Sequence, residues 1–285
     1  MKLFCHYWKS ESESEEKTRI VFLHGMGGTG ALWRPVASVL EDDCEILAPD
    51  QRGHGKSQIP PGARVEPTYT PLDYAQDIVE TLQNLGFHPT WIVGHSMGVR
   101  TACAAAHLKP EWARGLVLVD LGLSGEAGGA LGQELERFLR VLPMQFPDRQ
   151  AARAFMEREC PDPAMAQYLL AVASLGGAGG RALSFPFDKS ALIQTIIAAE
   201  RAARDSSVRD WVLELAARGM PILVLRGERS LVWSHEEFEA ERERFVAFPS
   251  VRFEEMPGAG HGLPFEQRVE FVRRLREFVG KASQP

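Results

Sequence analysis

Trp91-Ile92-Val93-Gly94-His95-Ser96-Met97-Gly98-Val99-Arg100-Thr101-Ala102-Cys103-Ala104-Ala105-Ala106 reads as a short apolar strand, a glycine-flanked turn and an alanine-rich helix. Its centre, GHSMG at 94–98, places a serine between glycines at both ±2 positions. A serine so placed between strand and helix is the pattern of a nucleophile elbow. The sharp turn holds the serine in an unfavourable backbone conformation and leaves room only for glycines beside it. Ser96 Oγ then stands clear of the strand end at a helix N-terminus, where exposed amides and the helix dipole favour negative charge. The competing reading is an ordinary strand-to-helix turn. With 26 glycines among 285 residues a chance match is uncommon, and the strand-then-helix context favours the elbow.

Outward from this turn, apolar runs alternate with periodic helical stretches. Strands are expected at 3–8, 19–23, 44–48, 91–93, 116–119, 222–225 and 251–254, and helices at 32–40, 72–85, 101–108, 208–218, 236–248 and 264–279. The later strands are short and continuously apolar, as in a parallel sheet covered on both faces. The alternation predicts an α/β protein with a doubly wound, mostly parallel sheet. The first two strands are joined only by the acidic run Glu11-Ser12-Glu13-Ser14-Glu15-Glu16, too short for a helix, so an antiparallel hairpin is expected there. Residues 122–205 break the alternation. They show no strand pattern and read as short helices at 131–142, 148–160, 163–175 and 188–204, with a glycine-rich break at 176–180. We expect this insertion to be a helical cap over the carboxyl ends of the strands, where ligands bind. The core is then 1–121 with 206–285. A surface subdomain without a binding role is the alternative.

Composition narrows the function. The net charge of −6 and the pI of about 5.8 argue against the basic field of a nucleic-acid binder. Met1-Lys2-Leu3-Phe4 begins no sustained apolar stretch, and no run approaches a membrane span, so a cytoplasmic protein is expected. Cys5, Cys44, Cys103 and Cys160 are scattered and read as free thiols, and the eight histidines lack ligand spacing. No metal or cofactor is expected. The partner is a small molecule, with the chain a monomer or homodimer.

A serine hydroxyl needs a base, and the base needs a group to orient it. His261, in the loop GAGHG at 258–262 after the last strand, is the candidate base. The acid is less direct. The loop after strand 222–225 reads Gly227-Glu228-Arg229-Ser230, so Ser230 stands where a G-x-x-D turn would carry aspartate. Asp120, ending the strand before it, lies on the same rim and keeps the chain order Ser, Asp, His. Glu228 and an acid-less dyad stay open beside it. The oxyanion donors are expected to be the backbone amides of Met97 and Met26, the latter in the HG-x-GG loop at 24–28. We place His24 and Gly25 beside the substrate and Phe146 in the pocket wall. Phe138, Leu142, Met144, Phe155, Met156, Phe185 and Phe187 divide between cap core and an apolar acyl pocket.

With HGMGGTG at 24–30, DQRGHGKS at 50–57, GHSMG at 94–98 and GAGHG at 258–262, the chain resembles the α/β-hydrolase superfamily along nearly its whole length. VDLGLS at 119–124 with GERS at 227–230 is similar to small bacterial carboxyl-esterases and their mitochondrial relatives, whose triad acid follows strand six of that fold. The resemblance implies a metal-free hydrolase of acyl esters or thioesters with a helical cap, and it favours Asp120. Dehalogenases and epoxide hydrolases of this fold use an aspartate nucleophile, which Ser96 argues against. Carbon–carbon bond hydrolases usually keep the G-x-x-D acid, absent here.

Two other classes compete. GMGGTG at 25–30 with Asp50 has the spacing of a dinucleotide fingerprint, but that reading leaves GHSMG and GAGHG as coincidences. A non-catalytic sensor on the same fold draws some support from the missing G-x-x-D acid.

Overall fold

The structure is a computed structural model that describes residues 1–10, 17–58, 68–123, 129–176, 180–204 and 207–282. Seven strands form the main sheet: β1 (Cys5–Trp8), β2 (Thr18–Leu23), β3 (Cys44–Pro49), β4 (Trp91–His95), β5 (Gly115–Val119), β9 (Ile222–Gly227) and β10 (Val251–Met256). They lie in the order β1-β3-β2-β4-β5-β9-β10. All neighbours are parallel except β1, which runs antiparallel to β3 with Cys5 opposite Pro49.

The expected hairpin between the first two strands is therefore corrected. β1 is antiparallel, but β3 stands between it and β2. The burial pattern gives the reason. Residues 20–23 of β2 are buried on both faces and belong in the sheet interior, whereas β1 is half-buried and suits an edge.

Helices cover both faces. On one side α2 (Pro71–Leu85), α3 (Met97–Leu108), α8 (Ser207–Ala217) and α9 (His235–Arg244) bury Ile78, Leu82, Val99, Val212 and Phe238 against the sheet. On the other, α1 (Arg34–Leu40) and α11 (Arg268–Ala282), with the short α10 (Leu263–Glu266) before it, bury Val36, Leu40, Phe271 and Leu275. α3 starts a full turn earlier than its apolar pattern suggested, directly after Ser96, and its alanines let it lie close on the sheet. β2 has β3 on one side and β4 on the other, so the winding direction reverses between β2 and β4. In open α/β sheets ligands bind at the carboxyl ends of strands at such a switch point.

Between β5 and α8 lie α4 (Gly129–Val141), α5 (Arg149–Glu159), α6 (Pro163–Val172) and α7 (Lys189–Arg204). A small antiparallel sheet joins them: β6 (Gln145–Phe146), β8 (Ala182–Ser184) and β7 (Ser174–Gly176), in that order. The expectation of a purely helical segment is corrected. Strands of two or three residues are too short to show an alternating pattern. The segment has its own apolar cluster, including Phe138, Leu142, Met156, Leu169 and Phe185, separate from the two sheet-face clusters. It is tied back to the DQRGHGKS loop by Gly55 N–H to Pro186 O at 2.6 Å and Asp188 N–H to Gly53 O at 2.7 Å. Most of the expected break at 176–180, and Ser124 of VDLGLS, lie outside the described residues. Among the described residues no helix is long and apolar enough to cross a membrane.

Candidate active site

Ser96 follows β4 with φ 54° and ψ −123°, and α3 begins at the next residue. Gly94 and Gly98 permit this turn by close approach. A Cβ at Gly94 would sit 2.3 Å from Gly98 O, and one at Gly98 would sit 2.4 Å from Leu23 O. Asp120, directly after β5, also has φ 54°, and among the described residues these two are the non-glycine positions with positive φ. Such strain persists where surrounding structure imposes it, and it clusters at functional sites. Here neighbouring strands hold both residues: Ser96 N–H donates to Val119 O at 2.9 Å, and Asp120 N–H to Leu225 O at 2.8 Å.

The structure brings Ser96, His261 and Asp120 together. His261 Nε2 lies 3.0 Å from Ser96 Oγ, and its Nδ1 lies 2.7 Å from Asp120 Oδ2. With the carboxylate as acceptor, Nδ1 carries the proton and Nε2 is left to accept from the hydroxyl. Asp120 is fully buried, and two further donors satisfy it: Gly227 N–H to Oδ1 at 2.8 Å and Ser230 Oγ–H to Oδ2 at 2.5 Å. Ser230, in the place of the missing G-x-x-D aspartate, thus hydrogen-bonds the carboxylate at the end of the neighbouring strand. Glu228 does not reach the imidazole. Its Oε2 accepts from Gly258 N–H at 2.6 Å, tethering the loop that carries His261. His95 donates from Nε2 to the backbone oxygen of His261 at 2.8 Å. Burial lowers the His95 pKa to about 3, which keeps the ring neutral.

The loop after β2 is held by a buried polar network. His24 Nδ1–H donates to Gly25 O at 2.8 Å, and its Nε2 accepts from Gln51 N–H at 3.0 Å. Gln51 donates back to His24 O, and Thr101 Oγ1–H donates to Gln51 Oε1. His54 Nε2 accepts from Gly27 N–H at 3.1 Å. Burial lowers His24 to about 4 and His54 to about 3, so both act as neutral hydrogen-bonding groups. Gly27 and Gly28 amides are thereby engaged, the latter with Gly25 O. Among the described residues, the Met26 and Met97 amides donate to no protein acceptor.

Two placements differ from expectation. His24 is fully buried and braces the loop rather than facing a substrate, because both ring nitrogens are taken by backbone groups. Phe146 lies within the apolar cluster of the inserted segment, its ring 5.4 Å from that of Phe155, and it does not line the cavity beside Ser96. Gly25 is adjacent to the serine: a Cβ there would stand 3.0 Å from Ser96 Cβ and press on it.

A cavity of about 130 Å³ reaches Ser96 and His261 and has Met26 and Met97 in its wall. Leu121, Leu135, Met165 and Ile196 supply apolar surface. Sequence reasoning missed Arg100, and also Tyr74 and Thr195, whose hydroxyls share a hydrogen bond of 2.6 Å between α2 and α7. Arg100 had a signal: it follows Ser96 by four positions, one turn along the helix.

The chain belongs to the α/β-hydrolase fold family, whose sequence profile matches residues 18–267. Among proteins of known sequence it is 29% identical over 246 residues to 2-(acetamidomethylene)succinate hydrolase of Mesorhizobium japonicum, covering 85% of this chain and 81% of that protein. It is 26% identical over 267 residues to the sn-1-specific diacylglycerol lipase ABHD11 of Mus musculus, covering 91% and 80%. Among solved structures it resembles E-2-(acetamidomethylene)succinate hydrolase with a TM-score of 0.73 at 25% identity, covering 98% of this chain and 95% of that one. A marine microorganism esterase gives the same TM-score at 21% identity, with coverage of 97% and 99%. Membership of this family rests on the profile match, and relatives in it carry the names hydrolase and esterase.

Proposed function

We propose that the chain is a serine hydrolase that cleaves small acyl esters or thioesters through an acyl-enzyme. The observation that carries this is the hydrogen-bonded line Ser96 Oγ–His261–Asp120 at the cavity floor. Ser96 attacks the acyl carbonyl as His261 Nε2 takes its proton. Asp120 holds the imidazole in the required tautomer and stabilises the imidazolium that forms. The amides of Met26 and Met97 receive the charge on the tetrahedral oxygen, which fits their freedom from protein acceptors. His261 then protonates the leaving alcohol or thiol, and water reverses the sequence. Every step uses protein groups and water alone. Residues 122–205 act as a cap that screens the cavity from solvent, while 1–121 and 206–285 carry the machinery.

Turnover of p-nitrophenyl butyrate with loss in Ser96→Ala, together with labelling of Ser96 by a fluorophosphonate, tests the reading. Absence of turnover across short and medium esters and thioesters, with no labelling, overturns it and leaves a ligand-binding role.

A further inference from the structure

β9 is buried along its whole length, yet its sequence Ile222-Leu223-Val224-Leu225-Arg226-Gly227 includes a cation, and Arg226 is only 3% exposed. A charge taken out of water is costly unless it is paired and hydrogen-bonded. Arg226 is both. It pairs with Glu255, its partner in register on β10. Its other described hydrogen bonds all go to backbone oxygens of one loop. Nε donates to Trp233 O at 2.7 Å, Nη1 to Glu228 O at 3.3 Å and Nη2 to Ser230 O at 3.3 Å. Residues 228–233 are thus folded around a single guanidinium, whose planar array of donors can serve several acceptors at once.

This loop meets both partners of the nucleophile. Ser230 Oγ–H donates to Asp120 Oδ2 at 2.5 Å. Arg229 N–H donates to Ala259 O at 2.8 Å, and Glu228 Oε2 accepts from Gly258 N–H at 2.6 Å, both in the turn that leads to His261. We propose that Arg226 is a positioning residue for the reaction. By gathering the carbonyls of Glu228, Ser230 and Trp233 it aims the Ser230 hydroxyl at Asp120, and so fixes the carboxylate against His261. This rests on the serine-hydrolase reading. Arg226 does not line the cavity beside Ser96, so it acts through Ser230 and its removal should be felt in kcat rather than KM.

The test is a double-mutant cycle in the full chain, with kcat and KM measured on one p-nitrophenyl ester for wild type, Arg226→Lys, Ser230→Ala and the pair. Lysine keeps a cation for Glu255, but its single nitrogen cannot serve three spread carbonyls. Arg226→Lys is expected to lower kcat about tenfold with KM unchanged within about twofold. In the Ser230→Ala background the same change should cost less than about twofold, because the path through the hydroxyl is already cut. Equal losses in both backgrounds, or a change carried by KM, overturn the proposal. Glu255→Gln keeps the side-chain shape and removes the anion, and it takes the place of Arg226→Lys if that variant does not fold. Its expected loss is about threefold, with the same dependence on Ser230. A second readout needs no turnover: the downfield proton resonance of His261 Nδ1–H, assigned by its loss in Asp120→Asn. Arg226→Lys, or Glu255→Gln in its place, should move it in the direction that Ser230→Ala moves it, and an unmoved resonance overturns the proposal. Absence of both turnover and fluorophosphonate labelling in the wild type defeats the hydrolase reading instead, and the resonance then decides by itself whether Arg226 orders the Asp120 site.

Discussion

β5 and β9 are parallel neighbours that end on the same rim, and their ends have divided one task. β5 is followed directly by Asp120, a fully buried carboxylate on strained backbone, 2.7 Å from the imidazole of His261. β9 ends in Gly227 and runs on to Ser230, with no charge to offer the imidazole; it supplies two donors instead, an amide and a hydroxyl, both aimed at Asp120. A buried carboxylate is costly unless hydrogen bonds satisfy it. The strand end without a carboxylate at this place therefore stabilises the carboxylate of its neighbour. The position of an acid is better understood as a property of a strand pair than of one loop.

Four variants probe that division of labour, all read as kcat on one ester substrate. Asp120→Asn is expected to lose about 10⁴-fold, the loss seen when the acid of a comparable triad is replaced by its amide. A loss below tenfold would show that the imidazole needs no anion here. Adding Ser230→Asp to that variant moves the acid to the other strand end. We expect it to recover on the order of 10- to 100-fold relative to Asp120→Asn, since a hydroxyl at 230 already reaches Asp120 Oδ2 at 2.5 Å. No recovery would mean that the β9 end has lost the geometry to serve as acid. Ser230→Ala alone removes one hydrogen bond to a charged group and should lower kcat about tenfold. A loss as large as that of Asp120→Asn would make Ser230 part of the reaction rather than a support. Glu228→Gln keeps an acceptor for Gly258 N–H and should change kcat by less than about threefold. A larger loss would return Glu228 to contention.

Most of the architecture was legible because the interior strands are continuously apolar and the helices between them are long enough to show their period. The order of strands was less so. Nothing in residues 3–8 says which neighbour they take, and proximity in the chain suggested β2 when β3 lies between. The inserted segment hid its small sheet because Gln145–Phe146 and Ser174–Gly176 are too short to alternate. Ser96, His261 and Asp120 meet because each sits in a turn with its own local signal, at a strand end on one rim. The wall of the cavity has no such signal. It is assembled from α2, α3, α4, α6 and α7, whose mutual placement depends on packing over long stretches of chain. His24 was misplaced for a related reason. Its neighbours in sequence suggested exposure to a ligand, whereas Gln51 and Gly25 close around it.

The stitch between Pro186, Asp188 and the 53–55 loop bears on how freely this fold could exchange its insertion for another. His54, inside that loop, pairs with Phe187 across an isolated β-bridge and also accepts the Gly27 amide beside Met26. At 186–188 the inserted segment thus comes within one link of the backbone that faces the serine. A foreign segment transplanted between β5 and α8 without an extended stretch at 186–188 would leave Gly55 N–H and Gly53 O without their partners. It would also untie one support of the glycine loop. The insertion is modular in its core and not in its hem, and a chimaera should be cut so that residues 186–188 stay with the sheet.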